Sequence, residues 1–388
     1  MSSSPFTNDQ ISEFRDEFPH IKKGYTYINH AAIGAISIPV KKAIDRFIDE
    51  RHSGPVENYE HGMEITETTR NNLARYLNAP SADQLTFIGN TSEGITAIAE
   101  GFDWKQGDQV ILNTMEFPAT VQPFRAVEHH GVEICYAEPR SGEITAEILE
   151  KNITPKTRMI ILSSVQYLSG FRADLKSIGE LCRKHNIIFV VDAIQSLGAF
   201  QIDVQECHID ALSSGSHKWM MAPLGIGFLY LSENFANKIR PFKTGWLSVK
   251  EPWELKNFNQ QWQPLHQHLE IGTPNMLGIT GLGASIEFLT APGPENVSRR
   301  IEYITDYTIY KISSNSRTEI LSPLDPAKRG GIISFSIEGV KEPKAVAEHL
   351  SKNNVTISCR EGFFRLSPHF YNTEKDIDKA IDLLFEQL

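Results

Sequence analysis

Cysteine is scarce in this chain, and its placement excludes more than its number does. Cys135, Cys182, Cys207 and Cys359 show neither a C-x-x-C pair nor the density of a disulfide framework, which argues against a stapled extracellular fold and for reduced thiols in a cytoplasmic protein. Positive charge is in deficit, with 38 basic against 48 acidic residues and a formal net charge of −10. A chain of that balance is not built for sequence-independent contact with nucleic acid. No uninterrupted apolar run approaches the length of a membrane-spanning helix. The opening residues MSSSPFTNDQ lack the basic and apolar regions of a signal peptide. His266 and His268 form an H-x-H pair with no third ligand at a readable spacing, so no metal site is expected. Gly281-Leu282-Gly283 lacks the third glycine and the preceding strand of a dinucleotide fingerprint, and close helix packing explains it better.

What is present is the composition of an ordinary globular chain, 40% apolar and 22% charged over 388 residues, long enough for one large domain and a smaller one. The centre of the pattern is Asn186 to Trp219, NIIFVVDAIQSLGAFQIDVQECHIDALSSGSHKW. Ile187 to Val191 is too short for a helix and rich in β-branched residues, the pattern of a strand buried on both faces. It stops at Asp192. A second apolar segment, Ile209 to Ser214, stops just before His217 and Lys218. An acid and a base therefore stand at the ends of neighbouring strands, at the edge where open α/β sheets bind ligands. Either residue alone reads equally well as a cap or a solvated side chain. Together they meet the demand of pyridoxal phosphate for a lysine amine and a carboxylate against its pyridine nitrogen.

Val191-Asp192-Ala193-Ile194-Gln195 and Ser214-Gly215-Ser216-His217-Lys218 resemble the V-D-x-x-Q and S-x-H-K signatures of class V aminotransferases, the family of cysteine desulfurases, kynureninase and isopenicillin N epimerase. The resemblance extends along nearly the whole chain. Asn90-Thr91-Ser92-Glu93-Gly94 after the strand Leu85–Gly89 resembles the family's T-[ST]-E turn, which implies that Thr91 and Ser92 hold the cofactor phosphate, with Thr91 as a helix cap. Met115 to Thr120 resembles the E-F-P-[AS] turn of the kynureninase- and epimerase-like members. That implies Phe117 as the ring stacked on the cofactor, where desulfurases carry a histidine. A phenyl ring stacks but does not titrate. Tyr167 stands where desulfurases place an asparagine. Gln195 is implied against the phenolic oxygen, and His217 beside Lys218. Desulfurases carry a serine three positions before the lysine, where this chain has Gly215, so the resemblance leaves Ser214 or Ser216 for the phosphate, with Ser216 the expected contact.

Glu270-Ile271-Gly272-Thr273-Pro274-Asn275 resembles the family's E-x-G-T-P-N turn, whose threonine reaches the phosphate in the partner subunit. A homodimer with shared active sites is thereby implied. The tract Arg365-Leu366-Ser367-Pro368-His369-Phe370-Tyr371-Asn372 resembles the one whose arginine binds the substrate carboxylate, here Arg365 with Arg360 as second candidate. A planar guanidinium suits that task. His30-Ala31-Ala32 is expected on the wall of the substrate pocket. Residues 25–280 are expected as a large cofactor-binding domain, with a mostly parallel sheet covered by helices on both faces. Residues 1–24 and 281–388 are expected as a small α+β domain that opens its C-terminal part on one long helix.

The resemblance implies a pyridoxal-phosphate enzyme acting on an amino acid through a carbanion at its α-carbon, with Lys218, Asp192 and Arg365 as the catalytic set. Transamination or C–S β-elimination follows, with epimerisation or non-catalytic cofactor binding as alternatives. Arg360 and Arg365 are separated by only four residues, leaving no loop for a persulfide-forming cysteine. Cys359, alternating with Val355 and Ile357, is expected to be buried in a strand.

Overall fold

The computed structural model describes residues 3–387. Besides the two-residue β1 (Thr26–Tyr27), runs of four to seven residues between turn signals produce its strands: β2 (Leu85–Ile88), β3 (Gln109–Asn113), β4 (Glu133–Ala137), β5 (Thr157–Ser163), β6 (Ile188–Asp192), β7 (Ala211–Gly215) and β8 (Gly227–Leu231). All but β1 join one sheet in the order β2-β8-β7-β6-β5-β3-β4. β8 runs antiparallel to both neighbours, and the other pairings are parallel. Every residue of β6, β7 and β8 is buried, as strands covered by helices on both faces must be. The two faces carry separate apolar cores, one built around Phe189, Val191 and Leu212 and the other around Val190, Ala211 and Leu229.

Helices Thr91–Gly101, Pro118–Ala126 and Leu175–His185 supply the crossovers. The last is bounded by local chemistry alone. Asp174 accepts a cap hydrogen bond from the Ser177 amide, and Asn186 ends the helix in the left-handed conformation, one of the few non-glycine residues that tolerate it. The link from β6 to β7 departs from helical alternation and runs as a series of turns. Gly198, at φ +100°, lies where any Cβ would collide with the Trp219 backbone, so this link packs directly beneath the lysine segment.

A smaller antiparallel sheet gathers β9 (Thr318–Ile320), β10 (Ile333–Ile337), β12 (Ser358–Arg360) and β13 (Phe363–Leu366) in the order β12-β13-β10-β9. The remaining pair, β11 (Val355–Thr356), runs parallel to β1. β12 and β13 turn over two residues, Glu361 and Gly362, both at positive φ, which is the backbone of a tight hairpin that follows strand twist.

The expected boundary at 280/281 falls inside the helix Met276–Thr290, which runs unbroken and packs on the helices Ile38–His52 and Tyr59–Leu77. The single long helix expected beyond it is two. Pro292 and Gly293 interrupt the chain before Pro294–Ile312. The N-terminal arm, whose first two residues lie outside the described ones, as does Leu388, forms the helix Asn8–Asp16. It touches both parts: Phe6, Ile11 and Phe18 join the large core, and Arg15 pairs with Asp376 at 2.5 Å. Among the described residues no helix is long and apolar enough to cross a membrane.

Candidate active site

The parallel strands β5 and β6 end level with each other, the register aligns Ser163, Asp192 and Ser213, and β7 runs two residues further to Gly215. Asp192 is thus the last residue of β6 rather than the first beyond it. Its carboxylate is buried; one oxygen accepts the Ile194 amide at 3.0 Å and the other the Thr120 hydroxyl at 3.2 Å. It forms no salt bridge among the described residues. Burial raises its pKa, opposed by the Ile194 hydrogen bond, the Lys218 charge and the Thr120 hydrogen bond.

Lys218 lies three residues beyond β7, its ammonium 5.9 Å from the centre of the Phe117 ring. Burial pulls its pKa down to about 8; Asp192 opposes the fall, while Arg365 and Arg360 deepen it. Gly34 closes on the lysine backbone. Its amide donates to the His217 carbonyl at 2.7 Å, and a Cβ there would overlap the Lys218 carbonyl oxygen. Gln195 donates to the Ala31 carbonyl at 3.1 Å and accepts the Trp219 indole N–H at 3.0 Å, leaving one amide hydrogen free.

The turn expected to hold the phosphate differs from expectation at its cap. Asn90, not Thr91, caps the helix Thr91–Gly101 by accepting the Glu93 amide at 3.0 Å; an asparagine side chain reaches the amide of the third following residue without strain. Thr91 is buried and accepts the Gly215 amide at 2.8 Å, while Ser92 is exposed. Ser216 is fully buried and donates to the Ile226 carbonyl at 2.8 Å. Ser214 likewise donates to the Gly215 carbonyl. Both hydroxyl hydrogens are committed to the backbone, that of Ser216 to the residue just before the antiparallel β8 and that of Ser214 to its own neighbour in β7. His217 is half-buried; burial and then the Lys218 charge lower its pKa.

Phe117 is 45% exposed and meets Tyr167 edge-to-face at 5.2 Å. Beneath it lies a residue that sequence reasoning passed over. Glu116 is buried and accepts from Asn113 at 2.6 Å, the Ser163 amide at 2.9 Å, the Ser163 hydroxyl at 2.5 Å and Gln166 at 2.8 Å. The E-F-P spelling was the available signal, since a glutamate in a turn flanked by buried strands needs donors from somewhere. Burial raises its pKa against those hydrogen bonds.

Arg365 sits on β13 opposite Ser358 of β12 and Ser334 of β10. It is 2% exposed, donates from Nε to Ser358 at 3.1 Å and from Nη1 to the Tyr167 carbonyl at 2.7 Å, and meets no carboxylate among the described residues. Burial and then Arg360 lower its pKa to about 10. Arg360, two residues beyond Ser358 and so on the same hairpin face, is exposed and donates to the Cys359 carbonyl. Cys359 is half-buried rather than buried. The strand expected across it breaks at Ile357 and changes partner from β1 to β13.

His30 also departs from expectation. Its ring turns away into the core, with Nδ1 3.0 Å from the Ser367 carbonyl and Nε2 2.9 Å from the Tyr371 hydroxyl. Thr273 is exposed, on a turn anchored by Glu270, which takes a two-pronged ion pair from Arg70 at 2.8 and 3.0 Å and accepts the Phe87 amide at 2.9 Å. The structure therefore brings Asp192, Lys218, Phe117, Tyr167 and Arg365 into one neighbourhood. The Thr273 hydroxyl lies along a separate surface groove with Gly89, Glu93 and Lys243.

The family model for aminotransferase class-V matches residues 27–380. A probable cysteine desulfurase of Borreliella burgdorferi is 29% identical, covering 96% of this chain and 95% of its own length. The uncharacterized aminotransferase YcbU of Bacillus subtilis is 25% identical, with 95% and 96% covered. Among solved structures, an apo cysteine desulfurase from Thermococcus onnurineus superposes with a TM-score of 0.89 at 23% identity over 100% of this chain and 99% of its own. The cystine C–S lyase C-DES superposes with a TM-score of 0.86 at 22% identity, over 95% and 98%. At these identities the structures speak for the fold.

The Lys218 environment has a measurable signature. An amine-directed reagent, with adducts mapped by peptide mass spectrometry, is expected to half-label Lys218 near pH 8 in the cofactor-free protein, well below the ordinary lysine value of 10.5. Between those two values the unfolded chain holds a proton that the folded chain has released, so this residue makes stability rise with pH across that window. Lys218→Met removes that part of the slope. Labelling of Lys218 only near pH 10.5 contradicts the burial argument.

Proposed function

The chain belongs to the class-V aminotransferase family of pyridoxal-phosphate enzymes, and on that footing we propose that it cleaves the C–S bond of a sulfur-containing amino acid by β-elimination, without a cysteine persulfide. The observation that carries an amino-acid substrate is Arg365: a buried guanidinium with no carboxylate of its own, sharing a neighbourhood with the Lys218 amine. A desolvated cation in that state is a site for an anion.

The residues fit the cofactor. Asp192 is a buried carboxylate lacking a cation, which suits a protonated pyridine nitrogen. Thr91 and Ser92 offer the first turn of an eleven-residue helix to a phosphate, and the exposed Phe117 ring offers a stacking face. Lys218 is the amine for the carbonyl carbon, Gln195 keeps one amide hydrogen for the phenolic oxygen, and His217 and Tyr167 complete the surround. When bound, pyridoxal phosphate supplies a carbonyl that condenses with amines and a ring that takes up the charge left at the α-carbon.

Arg365 holds the substrate carboxylate and so fixes which bond at the α-carbon faces Lys218. The Lys218 amine, neutral above about pH 8, takes the α-proton at Nζ. Asp192 would stand against the ring nitrogen, whose positive charge would favour its ionised form, and Phe117, having no proton to give or take, leaves that step to the lysine. C–S cleavage is preferred because the probable cysteine desulfurase relative is matched over almost its full length. The name of YcbU makes transamination the reading to be excluded.

Direct release of the sulfur product is supported by the state of the four thiols. Burial raises the pKa of all four cysteines, Cys207 to about 12, and the half-buried Cys359 is among them. A thiol becomes a nucleophile through a lowered pKa.

A homodimer with shared sites is the proposed assembly. Trp253, Leu255, Phe258 and Trp262 stand 59–91% exposed. Trp246, in the same segment, packs against Trp253 at 5.2 Å and against Gly272, next to Thr273. So large an apolar surface beside that turn fits a second copy, which would bring Thr273 to the neighbouring phosphate.

Incubation with pyridoxal phosphate is expected to give a visible absorbance band in the wild type and none in Lys218→Ala. Asp192→Ala is expected to keep part of the band while losing turnover by about a hundredfold or more, the scale of a lost transition-state stabiliser. A colourless wild type would sink the cofactor assignment.

Turnover of S-substituted cysteines is expected to yield pyruvate and a free thiol or sulfide. Mass spectrometry of the protein during the reaction should find no gain of about 32 Da, the mark of a persulfidated thiol. Such an adduct on any of the four cysteines refutes the direct-release reading, and an amino-group acceptor requirement points to transamination instead.

Mixing Lys218→Ala with Thr273→Ala subunits is expected to regenerate one intact site per heterodimer and so recover activity that neither parent has alone. A monomer by sedimentation, or no recovery on mixing, counts against shared sites.

A further inference from the structure

Three successive carbonyls run through the lysine segment, those of His217, Lys218 and Trp219, and each accepts one hydrogen bond. The donors are the Gly34 amide at 2.7 Å, the Met221 amide at 2.9 Å and the ring of His369 at 2.9 Å. Only the last is a side chain. It comes from 150 residues away in sequence, from the tract that follows Arg365. His369 and Trp219 are both 0% exposed, so this contact excludes water.

The ring's chemistry is determined at both nitrogens. Nδ1 faces the Phe370 amide at 2.9 Å, which can only donate, so Nδ1 is the bare acceptor and Nε2 carries the hydrogen. That hydrogen points at the Trp219 carbonyl. The neighbouring His30, 5.0 Å away between ring centres, faces a carbonyl through Nδ1 and a tyrosine hydroxyl through Nε2. Burial lowers the pKa of both rings, that of His369 to about 4, so the pair is neutral and no second charge competes for the Trp219 oxygen. On the other side of Trp219, the indole N–H is held by Gln195. The main chain just after Lys218 is therefore held through both its carbonyl and its side chain.

We propose that His369 is a positioning residue for Lys218. By gripping the next carbonyl along the chain, it sets the direction in which the amine projects from the end of β7. Because His369 lies four residues after Arg365, one short tract governs both the anion site and the aim of the base. This rests on Lys218 being the reactive amine; its test is read without turnover, so it stands or falls separately from the proposed reaction.

Two variants divide the ring. His369→Asn places an oxygen where Nδ1 was and keeps the Phe370 contact, but is too short to reach Trp219. His369→Gln reaches Trp219 with an N–H and gives up the Phe370 contact. In cofactor-free protein, the pH midpoint for labelling Lys218 is expected to rise by about one unit in the Asn variant, toward the ordinary lysine range as the amine gains solvent. In the Gln variant it is expected to stay within about 0.3 unit of wild type. With substrate, the Asn variant should lose roughly tenfold in kcat with KM within about twofold, as for an interaction absent from ground-state binding, and Gln should recover most of that loss. Equal midpoints in all three proteins, with cooperative thermal unfolding retained, reduce His369 to a packing role and overturn the proposal. So does a Gln variant displaced as far as Asn. If the Asn variant does not fold, nitrogen-15 spectra of labelled histidine in the wild type decide: the Nε2–H tautomer at His369 is required, and the Nδ1–H tautomer overturns it.

Discussion

Removing a carboxylate from water costs several kcal/mol unless other groups replace its hydration, and Asp192 is left only partly compensated. It receives one backbone amide and one hydroxyl, and no cation comes within salt-bridge distance among the described residues. Two other carboxylates, the buried Glu116 and the partly exposed Glu270, are treated differently. Glu116 takes four donors, and Glu270 takes both prongs of Arg70 and a strand amide. Those two are structural in the plain sense that their hydrogen bonds fill their capacity and tie turns to strands. Asp192 keeps unused capacity at the carboxyl end of a central strand, and a rigid sheet is what allows that state to persist.

The same logic runs through the cations. Lys218 and Arg365 are each pulled toward neutrality by burial, and Arg365 adds its charge against Lys218. Two positive groups in one poorly solvated neighbourhood favour an anionic guest and favour the amine as base. Neither group could hold its position alone. The lysine depends on Gly34 from the N-terminal segment and on the link beneath Trp219. The arginine depends on a hairpin whose two turn residues adopt positive φ, so that Ser358 lands opposite it.

The parts of the large sheet were legible because strands buried on both faces leave continuous apolar runs. Ile188–Asp192 and Ala211–Gly215 fall within two residues of where those runs place them, and the ends of the helix Leu175–His185 are set locally by Asp174 and Asn186. The split of the expected long helix is local in the same way, because Pro292 and Gly293, the latter at φ +84°, cannot continue a helix.

The site divides along the same line. Motif spacing determined that an acid and a base stand at neighbouring strand ends and that an arginine follows in the C-terminal tract, because those statements depend on local periodicity and residue type. Only the tertiary structure decided where each polar hydrogen goes. Ser216 is spent on the Ile226 carbonyl because β8 comes back antiparallel, His30 turns inward because Ser367 and Tyr371 wait there, and His369 reaches Trp219 from 150 residues away in sequence. A side chain's preference for a partner is written in its chemistry. Which backbone arrives within 3 Å of it is fixed by how distant segments pack, and no local pattern encodes that distance.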